Sequence, residues 1–545
     1  MDGLTIVGVP VGSPMSVAQA LNKHFAESMA CLDMVHRAVQ SLINRRQAPL
    51  QGLYKIIRLC LAPAKINHLL RALPTDFLSP HLFAYDAKIY ELTLAILSLS
   101  PSNALCDPTT AAGRLTLARA RLSAHHGGLG ITSASATALS ARRGNLAHTA
   151  HFLPIILGPS FDPSTDGEIA LPELYKLLPA NFASSSGITS LPPTPPVHYF
   201  SEPMPKLSRL LNHHDGEAQA KAVLNFIPDA QDRAVFLSGG DDGATFLLTK
   251  FAGRQALQSE EFAALARARL GLPATCNTPP PGLCHLCAKP CDTSGTHVLE
   301  CTTAKNCTSP CADTLYDKPT RRHDRVCSAL IHSMSAIAKR ELGKNILEIK
   351  PEPHMSLFNW GSMANFSGPL VDARADLSYA LPGGGNVAHV VADLTVTHPN
   401  ASPSLNRGGA AAASQPGAAA QAAHAHKYDH YAKRYVLPAN SFFPLAIETG
   451  GRMHESFKNF LRTFVKRDIL GANVGDKLGG ADLTKYNLYL RELIEAVEIA
   501  LAKSVAGALM WNRRDRPACA HCPSHGPGDP PHAGAGSGVA AAAGP

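Results

Sequence analysis

Two sets of residues in this chain have the types and spacing to do chemistry. The first is Cys284-His285-Leu286-Cys287 with His297 and Cys301, a C-x2-C-x9-H-x3-C pattern. Thiolate and imidazole are the ligands that tetrahedral Zn²⁺ favours, and a two-residue gap lets one tight turn present both sulfurs to one ion. Four ligands leave no open position, so a zinc here is expected to be structural, with Cys291, Cys307 and Cys311 as substitutes or partners for a second site. The second set is Asp376, in Arg374-Ala375-Asp376-Leu377, and Asp393, in Val391-Ala392-Asp393-Leu394-Thr395-Val396. Both aspartates lie in β-rich stretches, where adjacent strands would bring two carboxylates close enough to share Mg²⁺, as phosphodiester hydrolysis requires. Such a site also needs a cation near the phosphate. Lys427 is the candidate, and Tyr431, one helical turn further on, would share its face.

The elements that must position these groups can be read from apolar spacing. Residues 323–341 read as a helix, 346–349, 375–381 and 389–397 as strands, 427–434 as a helix, 442–447 as a strand and 455–467 as a helix. An Ala/Gly-rich stretch, 408–425, is expected to separate the third strand from the helix carrying Lys427. A long helix over 483–512 precedes an Ala/Gly/Pro-rich tail in which Cys519, His521 and Cys522 have no apolar residues to build a core around an ion. The first 150 residues read as mainly helical, with helices over 17–44, 49–62 and 79–98 after a short apolar stretch at 4–11. Residues 158–206 form a Pro/Ser/Thr-rich connector, and 217–270 are again helical.

Composition sets the outer limits. The chain has 545 residues, 45% of them hydrophobic, which excludes a wholly disordered or collagen-like protein. A formal charge of +8 permits nucleic acid as a partner without demanding it. Eight cysteines fall between Cys276 and Cys327, a cluster that suits a metal site in a reducing compartment better than a spread of disulfides. The start, MDGLTIVGVPVGSP, carries Asp2 and no basic leader, so no secretory signal is expected. No uncharged apolar run approaches the ~18 residues of a membrane span.

The order helix, three strands, helix, strand, with an acidic pair on the strands, resembles the core of PD-(D/E)xK nucleases. Read with the CCHC pattern and Arg322-His323-Asp324-Arg325, the chain resembles the restriction-like endonuclease end of site-specific non-LTR retrotransposon proteins. The segments VADLTVTHP (391–399) and FPLAIETGGR (443–452) are similar to those around that family's active-site strand and the strand after it. Two positions depart from the pattern. Ala375 replaces the Pro of the first motif, and Thr395 stands where an E-x-K version would place Lys. The family often carries that Lys on the following helix, which assigns it to Lys427. The front half resembles the same family: LTIVGVPVGS (4–13) looks like the strand after a reverse-transcriptase palm, 53–74 like the helical thumb, and HGGLGITS (126–133) like the connector after it.

The resemblance implies a multidomain α+β protein. A thumb/connector-like helical region would span 1–150, a connector 151–213, a helical linker 214–275 and a CCHC zinc knuckle 276–315. A restriction-endonuclease-like domain would follow over 316–470, then a C-terminal helix over 471–515 and a disordered tail over 516–545. It implies structural Zn²⁺ on Cys284, Cys287, His297 and Cys301, and catalytic Mg²⁺ on Asp376 and Asp393, with Lys427 and Tyr431 beside it. The activity would be DNA nicking for target-primed reverse transcription, in the nucleus, with target DNA and element RNA as partners and no membrane. The polymerase palm would have preceded Met1, so Gly239-Gly240-Asp241-Asp242 is a loop and not a polymerase site. Arg321, Arg322, His323 and Arg325, and further forward Arg114, Arg119, Arg121, Arg142 and Arg143, are candidates to touch phosphate. Two other classes fit the residues: a non-enzymatic zinc-knuckle nucleic-acid-binding remnant, and an unrelated zinc-stabilised helical scaffold. The scaffold predicts that Asp376 and Asp393 lie more than ~8 Å apart, too far to share an ion.

Overall fold

The structure is a computed structural model that describes residues 4–6, 8–44, 49–149, 207–249, 256–274, 299, 319–343, 348–358, 360, 374–380, 389–400, 409–438, 441–473 and 475–511. Its described part is mixed α+β and mostly helical, with one four-stranded mixed sheet. The expected zinc ligands Cys284, Cys287, His297 and Cys301 lie outside the described residues, as do most of the connector and the tail.

At the front, the apolar stretch 4–11 is a hairpin, β1 (Leu4–Ile6) antiparallel to β2 (Val9–Val11), because Gly8 takes a φ of +81° that a two-residue turn needs. Helix α1 (Pro14–Asn44) buries Val17, Leu21, Phe25, Ser28, Leu32 and Val39, a single stripe at helical spacing. Helix α2 (Leu50–Ile56) continues as a π-turn over Ile57–Leu61, and Pro63 opens α3 (Pro63–Ala72) at the first helical position, where a missing N–H costs nothing. Helices α4 (Thr75–Ile96), α5 (Ala111–Arg121) and α6 (Ala134–Thr149) complete this bundle. The buried Asp86 carboxylate ties two of them together, accepting from Ala134 N at 2.7 Å and Ser135 N at 3.0 Å at the start of α6.

Helices α7 (Leu207–Phe226), α8 (Ala230–Ser238), α9 (Thr245–Leu248) and α10 (Ser259–Arg269) follow. The second half then runs through α11 (Pro319–Leu342), β3 (Ile349–Pro351), β4 (Leu377–Ala380), β5 (His389–Thr397), α12 (Gly409–Ala412), α13 (Ala418–Ala432), β6 (Phe442–Glu448) and α14 (Glu455–Thr463) to α15 (Gly480–Trp511). The sheet order is β3-β4-β5-β6, antiparallel twice and then parallel between β5 and β6. A parallel neighbour needs a crossover, and α12 and α13 supply it. The Ala/Gly stretch expected to separate elements is therefore largely helix. Its alanines are the packing face: Ala420 and Ala423 of α13 lie against Ala446 of β6, and small side chains allow helix and sheet to approach closely.

One apolar core runs from Val17 to Leu509 through both halves. Segment 471–515, expected as a separate unit, contributes Leu493, Val497 and Val505 of α15 to it. Polar groups also gather where the halves meet. On the front-half side, Arg269 donates from Nε to Gly128 O at 2.8 Å, from Nη1 to Gly243 O at 2.9 Å, and from Nη2 to Ala124 O. The Gly239–Asp242 turn crosses between the halves: Asp241 pairs with Arg452, and beside it Gly450 N donates to Ser238 Oγ at 3.1 Å. Glycines are required where the two turns meet, since a Cβ on Gly451, which has a φ of +100°, would come within 2.4 Å of Gly243 Cα.

Candidate active site

The register of the sheet builds the site. Leu377 of β4 pairs with Ala392 of β5, so one step along this antiparallel ladder Asp376 faces Asp393. Directly opposed residues project to the same face, with Cβ atoms roughly 4.5–5.5 Å apart. The Asp376 N–H donates to Ala392 O at 3.1 Å, which carries the ladder one residue past β4, and the two carboxyls stand within hydrogen-bonding reach of each other. The separation that an unrelated scaffold predicts is absent.

Lys427 reaches this pair from α13, its Nζ 2.6 Å from Asp393 Oδ2. The helix is held in place from its N-terminus. Gly417 at the N-cap has no side chain to offer the free amides, and the buried Glu448 at the end of β6 accepts from Ala420 N at 3.1 Å instead. Burial raises the Glu448 carboxyl, opposed by that amide and by Ser238. Tyr431, one turn beyond Lys427, is buried among Met355, Ala375, Val391 and Phe442, and its Oη donates to Arg374 O at 3.0 Å. It therefore pins α13 to the chain just ahead of Asp376. Burial, then the charge of Asp393, pushes its phenol far above the usual range. Thr395 occupies the E-x-K position, two residues from Asp393 on the same face of β5, and its Oγ1 is buried with no hydrogen-bond partner among the described residues.

The two aspartates titrate apart. Asp393 is buried, and burial together with Asp376 raises its carboxyl to about 7 against the pull of Lys427. Burial would raise Asp376 too, but the bond from His323 and the Leu394 N–H, 2.5 Å from Oδ2, hold it below the usual range. A buried and a half-buried carboxylate in reach of each other, the buried one pushed towards protonation by its burial and its neighbour, fit a divalent cation, and an all-oxygen pair suits Mg²⁺.

His323, expected with Arg321, Arg322 and Arg325 as a phosphate contact, stands beside the carboxylate pair, its Nε2 3.0 Å from Asp376 Oδ2 and 3.7 Å from Cys327 Sγ. Burial opposes its charge, but Asp376 and Cys327 outweigh that and raise the imidazole to about 11. Burial likewise raises the Cys327 thiol to about 11. Arg322, also expected to meet phosphate, is only 3% exposed and donates to Leu299 O at 2.6 Å, so it meets protein instead. Arg325 is half-buried, 3.5 Å from Ser504 Oγ of α15, and the side chain of Arg321 lies outside the described residues. In the front half Arg119 is buried with its guanidinium 5.5 Å above the Phe236 ring, whereas Arg114 is exposed. The signal that could have found His323 is the spacing His323-x3-Cys327, which puts both side chains on one helix face.

Among the described residues, no helix is long and apolar enough to cross a membrane. Comparison of the chain with protein-family models, with curated proteins and with solved structures finds no match.

Proposed function

We propose that this chain is part of a non-LTR retroelement protein whose second half is a restriction-like, PD-(D/E)xK-type endonuclease that nicks DNA with Mg²⁺. The exposed 3′-OH would prime reverse transcription of the element RNA in the nucleus. One observation carries this reading: Asp376 and Asp393, opposed on neighbouring strands, meet Lys427 from the crossover helix. The sequence similarity around 391–399 and 443–452 supports it, and the CCHC residues Cys284, Cys287, His297 and Cys301 would add a structural zinc.

Asp376 and Asp393 would hold the Mg²⁺. Bound there, Mg²⁺ supplies Lewis acidity towards a phosphate oxygen and a more acidic water. Lys427 has three N–H donors, and one is directed at Asp393 Oδ2. The others can orient the attacking water or meet charge developing on the phosphate oxygens. Tyr431 acts as a positioning residue through Arg374, and Glu448 through the start of α13.

Supercoiled plasmid incubated with the full chain and Mg²⁺ is expected to be converted to open circles. Lys427→Ala is expected to slow this by about 10²–10³-fold, the range found when one preorganised transition-state donor is removed. Lys427→Arg, which keeps the charge, should retain more activity than Lys427→Ala. Plasmid left intact by well-folded wild-type protein would overturn the enzyme and leave a nucleic-acid-binding remnant.

A further inference from the structure

Beside the carboxylate pair lies a group of ligand atoms of a different chemistry. His323 Nε2, Cys327 Sγ and an Asp376 carboxylate oxygen all fall within 4.8 Å of one another. We propose that these three residues form a second metal site, selective for a thiophilic divalent ion such as Zn²⁺. This proposal stands whether or not the chain is a nuclease.

The spacing of the atoms supports it. Bonds of about 2.0–2.3 Å at tetrahedral angles place neighbouring ligand atoms about 3.3–3.7 Å apart. The structure has His323 Nε2 at 3.0 Å from Asp376 Oδ2 and at 3.7 Å from Cys327 Sγ, so only small side-chain rotations are needed to admit an ion. His323 and Cys327 are four residues apart on α11 and share one face, while Asp376 comes from the start of β4. A ligating histidine is normally oriented by a carboxylate on its other ring nitrogen. His323 has this partner: its Nδ1 lies 3.1 Å from Asp324 Oδ1, which leaves Nε2 to face the other two ligands.

The donor set also decides the ion. A thiolate and an imidazole favour Zn²⁺ over Mg²⁺, which prefers all-oxygen sites. Cys327 would lose its thiol proton on binding. Three protein ligands leave a fourth position for water or a phosphate oxygen, unlike the closed CCHC quartet. Asp376 belongs to both sets, and its carboxylate has two oxygens, so it can serve an ion here and the pair with Asp393 together.

Metal content of the purified full chain tests this without reference to activity. Protein from zinc-supplemented cultures is desalted and its zinc counted by mass spectrometry. Cys327→Ser and His323→Gln are each expected to carry one zinc fewer than wild type, whereas Asp393→Asn carries the same number. In cobalt-substituted protein, wild type minus Cys327→Ser should show a thiolate-to-cobalt charge-transfer band, because every other cysteine is unchanged. His323 is partly exposed, so His323→Gln keeps the test valid even if the buried Cys327→Ser variant fails to fold. Equal zinc in wild type and a well-folded His323→Gln overturns the site, as do superimposable cobalt spectra of wild type and a well-folded Cys327→Ser. The three side chains would then be a hydrogen-bonded group only.

Discussion

Asp393→Asn is expected to lower Mg²⁺-dependent nicking by about 10²–10³-fold or more while making the metal-free protein more stable at pH 8. The two effects have one cause. Asp393 is buried beside Asp376, and the pair gains from a cation what it loses by being close. In the folded, metal-free chain the Asp393 carboxyl is raised from 3.8 to about 7. A carboxyl raised by folding contributes stability that is fully present below 3.8 and is lost as pH climbs through about 7. Asparagine has the same shape and no charge, so the variant should gain on wild type progressively between pH 4 and pH 8. His323 is also raised, to about 11, so its contribution fades above 6.5 in both proteins and largely cancels in the difference. Asp376, held low, loses its contribution only in acid. Urea unfolding of both proteins without added divalent ions, at pH 5 and pH 8, checks the sign. A wild type that gains on the variant as pH rises would contradict it.

Arg269→Ala should be the most damaging change outside the site, costing about 3 kcal/mol or more. One guanidinium satisfies carbonyls from three separate places, Ala124, Gly128 and Gly243, and each buried carbonyl left without a donor costs roughly 1–3 kcal/mol. Burial pushes this guanidinium down to about 10, against Tyr54 and Glu498. Because the Gly243 turn abuts Gly451, the loss should loosen the joint between the helical front and the sheet. Arg269→Lys restores the charge but not the three-way geometry, and should recover only part of the loss. Urea titrations followed by circular dichroism measure both variants. An Arg269→Ala midpoint equal to that of wild type would show that the joint does not depend on this side chain.

The sequence was most informative where periodicity is strong and local. Strand β5 has the bounds its β-branched run suggests, and the order of helix and strands around it follows from apolar spacing alone. Alanine-rich chain was harder to read, because low complexity looks the same in a linker and in a helix that packs by its smallness. Only the tertiary partner, Ala446 on β6, tells them apart. Boundaries between modules were likewise drawn from composition, whereas the core that crosses them is made by contacts between distant segments such as α10 and α15. Asp376, Asp393 and Lys427 could be picked out because their chemistry has a known order along a chain. His323 stood out only as a phosphate contact beside basic residues, because its partner Asp376 lies 53 residues away.

The central claim is that Asp376 and Asp393 together hold one divalent cation. Electron paramagnetic resonance of added Mn²⁺, on the zinc-replete chain, tests it most directly. Wild type should bind one Mn²⁺ that excess Mg²⁺ displaces, and Asp393→Asn should bind none at the same concentration. Equal Mn²⁺ binding by the two proteins, or no displaceable Mn²⁺ on well-folded wild type, would contradict the account.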